Sequence, residues 1–136
     1  MNTAINTIKQ MDKLYNNQTK HTSFKLAYSF EDRIKDTTQI KYKYPDRIPI
    51  ICEKQQKNTY LQTLAKKKYL VPMDLTIAQF IYVIRKNINI DQNTAIFLCI
   101  GNIIPPSNAM FGFLYDTYKD IDGFLYITYT TENTFG

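Results

Sequence analysis

The firmest local instruction in the chain lies at residues 76–88. Thr76-Ile77-Ala78-Gln79 has the spacing of a capping box, and Ile77, Phe80, Ile81, Ile84 and Ile88 recur at i, i+3, i+4, i+7 and i+11. A helix patterned this way has one apolar stripe and one wet face, so it must lie across another apolar layer. The flanking sequence supplies that layer as strands. Arg47-Ile48-Pro49-Ile50-Ile51-Cys52-Glu53 predicts one, with Pro49 implying an edge position or a bulge. Lys68-Tyr69-Leu70-Val71-Pro72 predicts a second, closed by proline. The continuous apolar run Ala95-Ile96-Phe97-Leu98-Cys99-Ile100, ended by Gly101-Asn102, suits a central strand buried on both faces. After the turn Asp122-Gly123, residues 124–130 alternate aromatic and branched side chains as a last strand.

Two further helices are expected. Ser29 can cap one, with Glu31 and Asp32 in its first turn and Phe30, Ile34, Thr37 and Ile40 on one face. Beyond Pro105-Pro106, Ser107 is expected to cap a short helix carrying Met110, Phe111, Leu114 and Tyr118. A strand pair, a crossing helix and another strand pair is the order of a β-grasp, although periodicity alone specifies only α+β.

The 136 residues suit one domain, long enough to bury a core without disulfides or metal. We place that domain at 23–130, behind an extension at 1–22 and ahead of an aperiodic tail at 131–136. In the extension Ile5, Ile8 and Met11 show weak helical spacing, and residues 16–22 are polar. No apolar run approaches the 18 residues of a membrane span, and the N-terminus lacks the apolar core of an export signal.

Catalytic chemistry finds little material here. Cys52 and Cys99 sit within apolar strands without basic neighbours, which predicts buried, inert thiols. His21 is the single histidine, so no metal site or cofactor is expected and the chain reads as no enzyme. The net charge of +5 is spread through a Lys-, Asn- and Ile-rich chain, with clusters at Lys66-Lys67-Lys68 and at residues 41–47.

Several stretches carry a resemblance beyond periodicity. They are Asp46-Arg47-Ile48-Pro49-Ile50-Ile51-Cys52-Glu53-Lys54, Lys68-Tyr69-Leu70-Val71-Pro72, Gln79-Phe80-Ile81-Tyr82-Val83-Ile84-Arg85-Lys86, Asp122-Gly123-Phe124-Leu125-Tyr126 and the tail Glu132-Asn133-Thr134-Phe135-Gly136. In this order they resemble the autophagy ubiquitin-like modifiers, the family of GABARAP and microtubule-associated light chain three, over about residues 23 to 136. The resemblance implies a ubiquitin-like β-grasp with a four-stranded mixed sheet, preceded by two helices near residues 24–28 and 30–44.

It also implies a life cycle. A cysteine protease exposes the terminal glycine, activating and conjugating enzymes carry it, and the amine of phosphatidylethanolamine receives it. Gly136 would be the attachment point, since a residue without Cβ can lie in a narrow enzyme channel. The protein would be cytoplasmic, and on the autophagosome membrane when lipidated. It would be a monomer in solution and would take no nucleic acid.

A second implied function is docking of aromatic-x-x-aliphatic motifs with acidic flanks, borne by cargo receptors and autophagy proteins, as a strand added to 68–71. By resemblance, Asp36, Ile40, Pro49, Ile51, Lys68, Leu70 and Phe124 form the aromatic pocket. Tyr69, Val71, Pro72, Leu75, Phe80 and Val83 form the aliphatic one. Arg47, Lys66, Lys67 and Arg85 would meet the acidic flanks.

Departures from the family pattern are Asp36 for a frequent Glu, Asn87 for a basic residue, Cys99 for an aromatic, and Thr131 near a usual glycine. They keep open the alternative of a diverged adaptor that uses only the groove and is never conjugated.

Overall fold

The computed structural model describes residues 23–56 and 61–131. The expectations for 1–22, including His21, and for residues 132–136, including Gly136, lie outside the described residues. In chain order the elements are α1 (Phe24–Ala27), α2 (Phe30–Lys43), β1 (Arg47–Lys54), β2 (Lys68–Pro72), α3 (Ile77–Asn87), β3 (Phe97–Cys99), α4 (Phe111–Tyr118) and β4 (Leu125–Thr130). The strands form one mixed sheet in the order β2-β1-β4-β3. β1 pairs antiparallel with β2 and parallel with β4, and β3 closes the other edge antiparallel to β4. This is the α+β, ubiquitin-like β-grasp with two leading helices that the resemblance implied.

Alternation along β1 explains how one sheet serves two layers. Ile48, Ile50 and Cys52 point into the main core beneath α3 and α4, with Phe80, Ile84, Phe111 and Tyr129. Ile51 points the other way, into a smaller cluster of Phe24, Ile40 and Phe124 under α1 and α2. Both cysteines are buried, and burial pushes their thiols above the ordinary range.

Three positional expectations are corrected. Pro49 lies in a strand paired on both sides, neither at an edge nor in a bulge. It is tolerated because it faces Leu70, whose partner on β1 exchanges no hydrogen bond, and because the β4 ladder begins only at Ile50. The apolar run at 95–100 forms the edge strand β3 rather than a central one. Its two faces are nonetheless covered: Ile96, Leu98 and Ile100 join the core that holds Ile84 and Ile88, and Cys99 is buried opposite. Burial on both faces leaves the same sequence mark whether or not a strand has two neighbours.

Ser107 does not cap α4. The helix starts at Phe111, with Met110 in the cap position and no capping side chain. The amides of Phe111 and Gly112 donate to the carbonyls of Leu75 and Met73, each at 2.9 Å, so the loop after β2 satisfies this helix end. On α2, Thr37 and Ile40 turn inward as expected, but Phe30 and Ile34 remain 41% and 37% exposed. Ser29, and the capping box of Thr76 with Gln79, behave as the sequence predicts.

Candidate functional site

β2 is the one long edge of the sheet. The amide of Cys52 donates to the carbonyl of Lys67 at 2.8 Å, and the register pairs Ile50 with Tyr69 and Ile48 with Val71. Backbone groups alternate in direction along a strand, so Lys67, Tyr69 and Val71 turn theirs toward β1. Lys68 and Leu70 therefore aim their N–H and C=O groups at the open edge. Pro72 ends the run without an N–H, and its carbonyl accepts from Leu75 at 3.2 Å. The edge thus offers two donors and two acceptors to an incoming strand.

Side chains flank this edge on both faces. On the α2 face, Leu70 packs over Ile51, Ile40 and Phe124, and buried Pro49 lies opposite Leu70. At the rim Lys68 Nζ meets Asp36 Oδ2 at 2.9 Å, an ion pair joining β2 to α2. On the α3 face, Tyr69 stands edge-on to Phe80 with ring centroids 5.3 Å apart. Burial pushes the Tyr69 phenol up to about 12, so it stays neutral in any physiological setting. Val71 is buried, Leu75 and Val83 are half-buried, and Pro72 is exposed.

Not every expected groove residue reaches the surface. Ile51, Phe80 and Phe124 are fully buried, so in the free chain they lie beneath the surface of the expected groove. Among the expected cations, Arg47 and Lys66 are exposed, and Lys66 Nζ stands 5.1 Å from the Tyr69 ring centroid. Lys67 turns to Glu53 at 3.0 Å, beside the amide of Phe24 that the same carboxylate accepts. Arg85 donates to the carbonyl of Thr94, in the loop leading to β3 at the opposite edge. The structure does not bring Lys67 and Arg85 to the open edge as free charges. Asn87 folds back onto the carbonyl of Val83 at 2.7 Å.

A buried polar cluster that sequence reading missed fixes α2, and with it one wall of the expected groove. The Asp122 carboxylate accepts from Arg33 Nη1 at 2.7 Å, from the Tyr126 hydroxyl, and from the Phe124 amide at 2.9 Å. Thr37 Oγ1 donates to the Asp122 carbonyl at 2.7 Å. Burial, and then the neighbouring Asp122, hold the Tyr126 phenol well above its ordinary value. Asp122-Gly123 was legible as a turn, but nothing in its neighbourhood names Arg33, 89 residues away. Among the described residues no group of His, Cys, Asp and Glu is placed to hold a metal.

Comparison with known proteins converges on one family. Residues 32–136 match the family model described as "Autophagy protein Atg8 ubiquitin like". Autophagy-related protein 8 of Schizosaccharomyces pombe is 52% identical over 115 residues, 85% of this chain and 94% of that protein. The Coccidioides immitis protein of the same name is 50% identical over 115 residues, 85% and 97% of the two chains. Among solved structures, Trypanosoma brucei ATG8 superposes with a TM-score of 0.76 at 41% identity, covering 85% of this chain and 98% of its own. Plasmodium falciparum Atg8, in complex with a Plasmodium falciparum Atg3 peptide, gives 0.75 at 34% identity over 84% and 99%.

Proposed function

The chain belongs to the Atg8 family of autophagy ubiquitin-like proteins, and from that premise we propose a modifier joined through Gly136 to phosphatidylethanolamine on autophagosomal membranes. In that place it recruits motif-bearing cargo receptors and autophagy factors through the β2 edge. It is acted on by a processing protease and by activating and conjugating enzymes, and performs no catalysis itself. The complex of the Plasmodium falciparum relative with an Atg3 peptide supports peptide capture and a conjugating enzyme among the partners.

The observation that carries the docking half is the open edge at Lys68 and Leu70 with a different apolar seat on each face. Successive side chains of an added strand point to opposite faces, so residues three apart do as well. An aromatic-x-x-aliphatic motif therefore sends its aromatic toward Leu70 and α2, and its aliphatic toward Tyr69 and α3. Lys68 and Asp36 at the start of β2 support an aromatic seat there, and Val71, Pro72 and Leu75 toward its end support an aliphatic one. The motif then runs parallel to β2. Arg47 and Lys66, exposed beside β2, and Lys68 at its start are the cations assigned to the motif's acidic flanks.

The test has two arms. Leu70→Ala should weaken an acidic aromatic-x-x-aliphatic peptide about thirtyfold, the scale of a hot-spot contact, while the thermal midpoint moves little because the gap is open to solvent. Wild-type affinity in that variant would place the groove elsewhere. In cells, Gly136→Ala should leave folding intact and abolish lipid attachment. Lipid-linked protein persisting in that variant would refute conjugation at this residue.

A further inference from the structure

Backbone accounting leaves a stretch just past Pro72 that a strand cannot use. The carbonyl of Pro72 is taken by Leu75 at 3.2 Å and that of Met73 by Gly112 at 2.9 Å, and Pro72 has no N–H to give. A partner chain following the β2 edge loses its main-chain hydrogen bonds there. With those two carbonyls taken, side-chain contact becomes the main means of holding it farther along.

Three large apolar side chains stand at that place. Met73, Met110 and Phe113 are 52%, 50% and 67% exposed. They are brought together by the same hydrogen bonds that use up the backbone. Phe111 and Gly112 tie the start of α4 to the loop after β2, and Thr76 bridges Met110. Gly112 lets the two elements close up, because a Cβ there would stand 3.1 Å from the Met73 Cβ. Met110 is the cap residue of α4 and Phe113 lies in its first turn, on either side of that contact. Exposed apolar groups scattered singly need no explanation, but two flexible thioethers and an aromatic ring on segments tied together this closely mark a contact surface.

We propose that Met73, Met110 and Phe113 form a third seat of the peptide groove, which takes a large apolar side chain two to four residues C-terminal to the motif's aliphatic residue. The inference rests on the docking reading above, because the occupant is the same partner segment. Direction supplies the commitment: a motif running parallel to β2 carries its C-terminal flank past Pro72 and onto this ledge. Sites of this kind favour partners whose motif continues as aromatic-x-x-aliphatic followed shortly by Leu, Met or Phe, in an irregular or helical turn rather than a strand.

Two peptides titrated into the full chain test the idea. One carries an acidic flank and the core motif followed by serines; the other is identical but for a leucine three residues beyond the aliphatic position. The extended peptide should bind wild type about tenfold more tightly, equivalent to about 1.4 kcal/mol. The variant Met73→Ser/Phe113→Ser should lose that tenfold and keep the core peptide's affinity. Its thermal melt should match wild type, because both side chains are exposed. Equal binding of the two peptides to wild type would overturn the third seat while leaving the groove intact. Failure of both peptides to bind would sink the docking reading, and the inference with it. A wild-type chain that self-associates in analytical ultracentrifugation, and a double variant that does not, would make the ledge a contact between copies and overturn the peptide assignment.

Discussion

Asp122→Ala should be among the most damaging single substitutions in the chain, and its effect can be worked from the structure. The carboxylate is wholly buried, at 0% side-chain exposure, and its partner Arg33 is 12% exposed. Arg33 Nε is already buried without a partner among the described residues. Removing the carboxylate leaves a guanidinium in a poorly solvated place, a change that costs about 3–5 kcal/mol when a buried pair is broken. It also leaves the Phe124 amide and the Tyr126 hydroxyl without their acceptor. Partial access of Arg33 to water lets it relax, so the lower part of that range, about 3 kcal/mol, is the expected loss. With an unfolding entropy of about 2.1 cal/mol/K per residue over roughly 108 residues, the thermal midpoint should fall by about 13 °C.

Urea denaturation of wild type, Asp122→Asn, Arg33→Met and the double variant makes a cycle. Asparagine can still accept from Phe124 but brings no charge, so the cycle isolates the ion pair, and a coupling of about 2 kcal/mol is expected. If the proposed groove is right the damage should reach binding too, since α2 carries Asp36 and Ile40, assigned to it by that proposal, and is held in place through Arg33 and Thr37. A coupling below about 0.5 kcal/mol, the ordinary error of additivity, would refute the argument that this pair clamps α2.

Three further outcomes are expected. Gly123 has φ +91 and a Cβ there would lie 2.5 Å from Thr37 Oγ1, whereas Gly101 has φ 57 and open space. Alanine should therefore cost about 1 kcal/mol at Gly101 from backbone strain and clearly more at Gly123, and equal losses in urea melts would contradict the packing account. Phe80→Ala empties a fully buried position between Tyr69 and Phe111 and should cost about 3–5 kcal/mol, a loss under 1 kcal/mol arguing against its place in the core. Burial pushes the Asp120 carboxyl up, but the hydrogen bond from Lys25, that from the Asp122 amide and the charge of Lys25 together outweigh it and hold it below the ordinary value. A carboxylate depressed on folding contributes stability above its unfolded value, about 3.9, and loses it as pH falls through the folded value. Between pH 5 and pH 2 the protection of α1 amides, taken relative to their intrinsic exchange rates at each pH, should fall by a small factor, since the pair is partly exposed, and Asp120→Asn should remove that part of the dependence. An unchanged dependence in Asp120→Asn would assign it to other groups.

Residue order alone determined most of the elements, apart from α1 and the start of α4. The capping box at Thr76, the Ser29 cap and the period-2 alternation of β4 are local interactions that a dozen residues specify and the fold does not override. Long collinear motifs went further and indicated the sheet and the family. What required the tertiary structure was everything fixed by lateral position or by distant partners. The sequence marks burial on both faces, not the number of neighbouring strands, so it could not tell that β3 lies at an edge or that Pro49 lies inside the sheet. It gave no sign that α4 would be capped by carbonyls of Leu75 and Met73, because those groups belong to every backbone and only packing brings them near. Arg85 and Lys67 read as surface cations until the fold set Thr94 and Glu53 beside them. Local propensity acts over one or two turns, whereas a groove is the meeting of α2, β2 and α3, and only the closed chain decides which side chains stand at its rim and which lie beneath it.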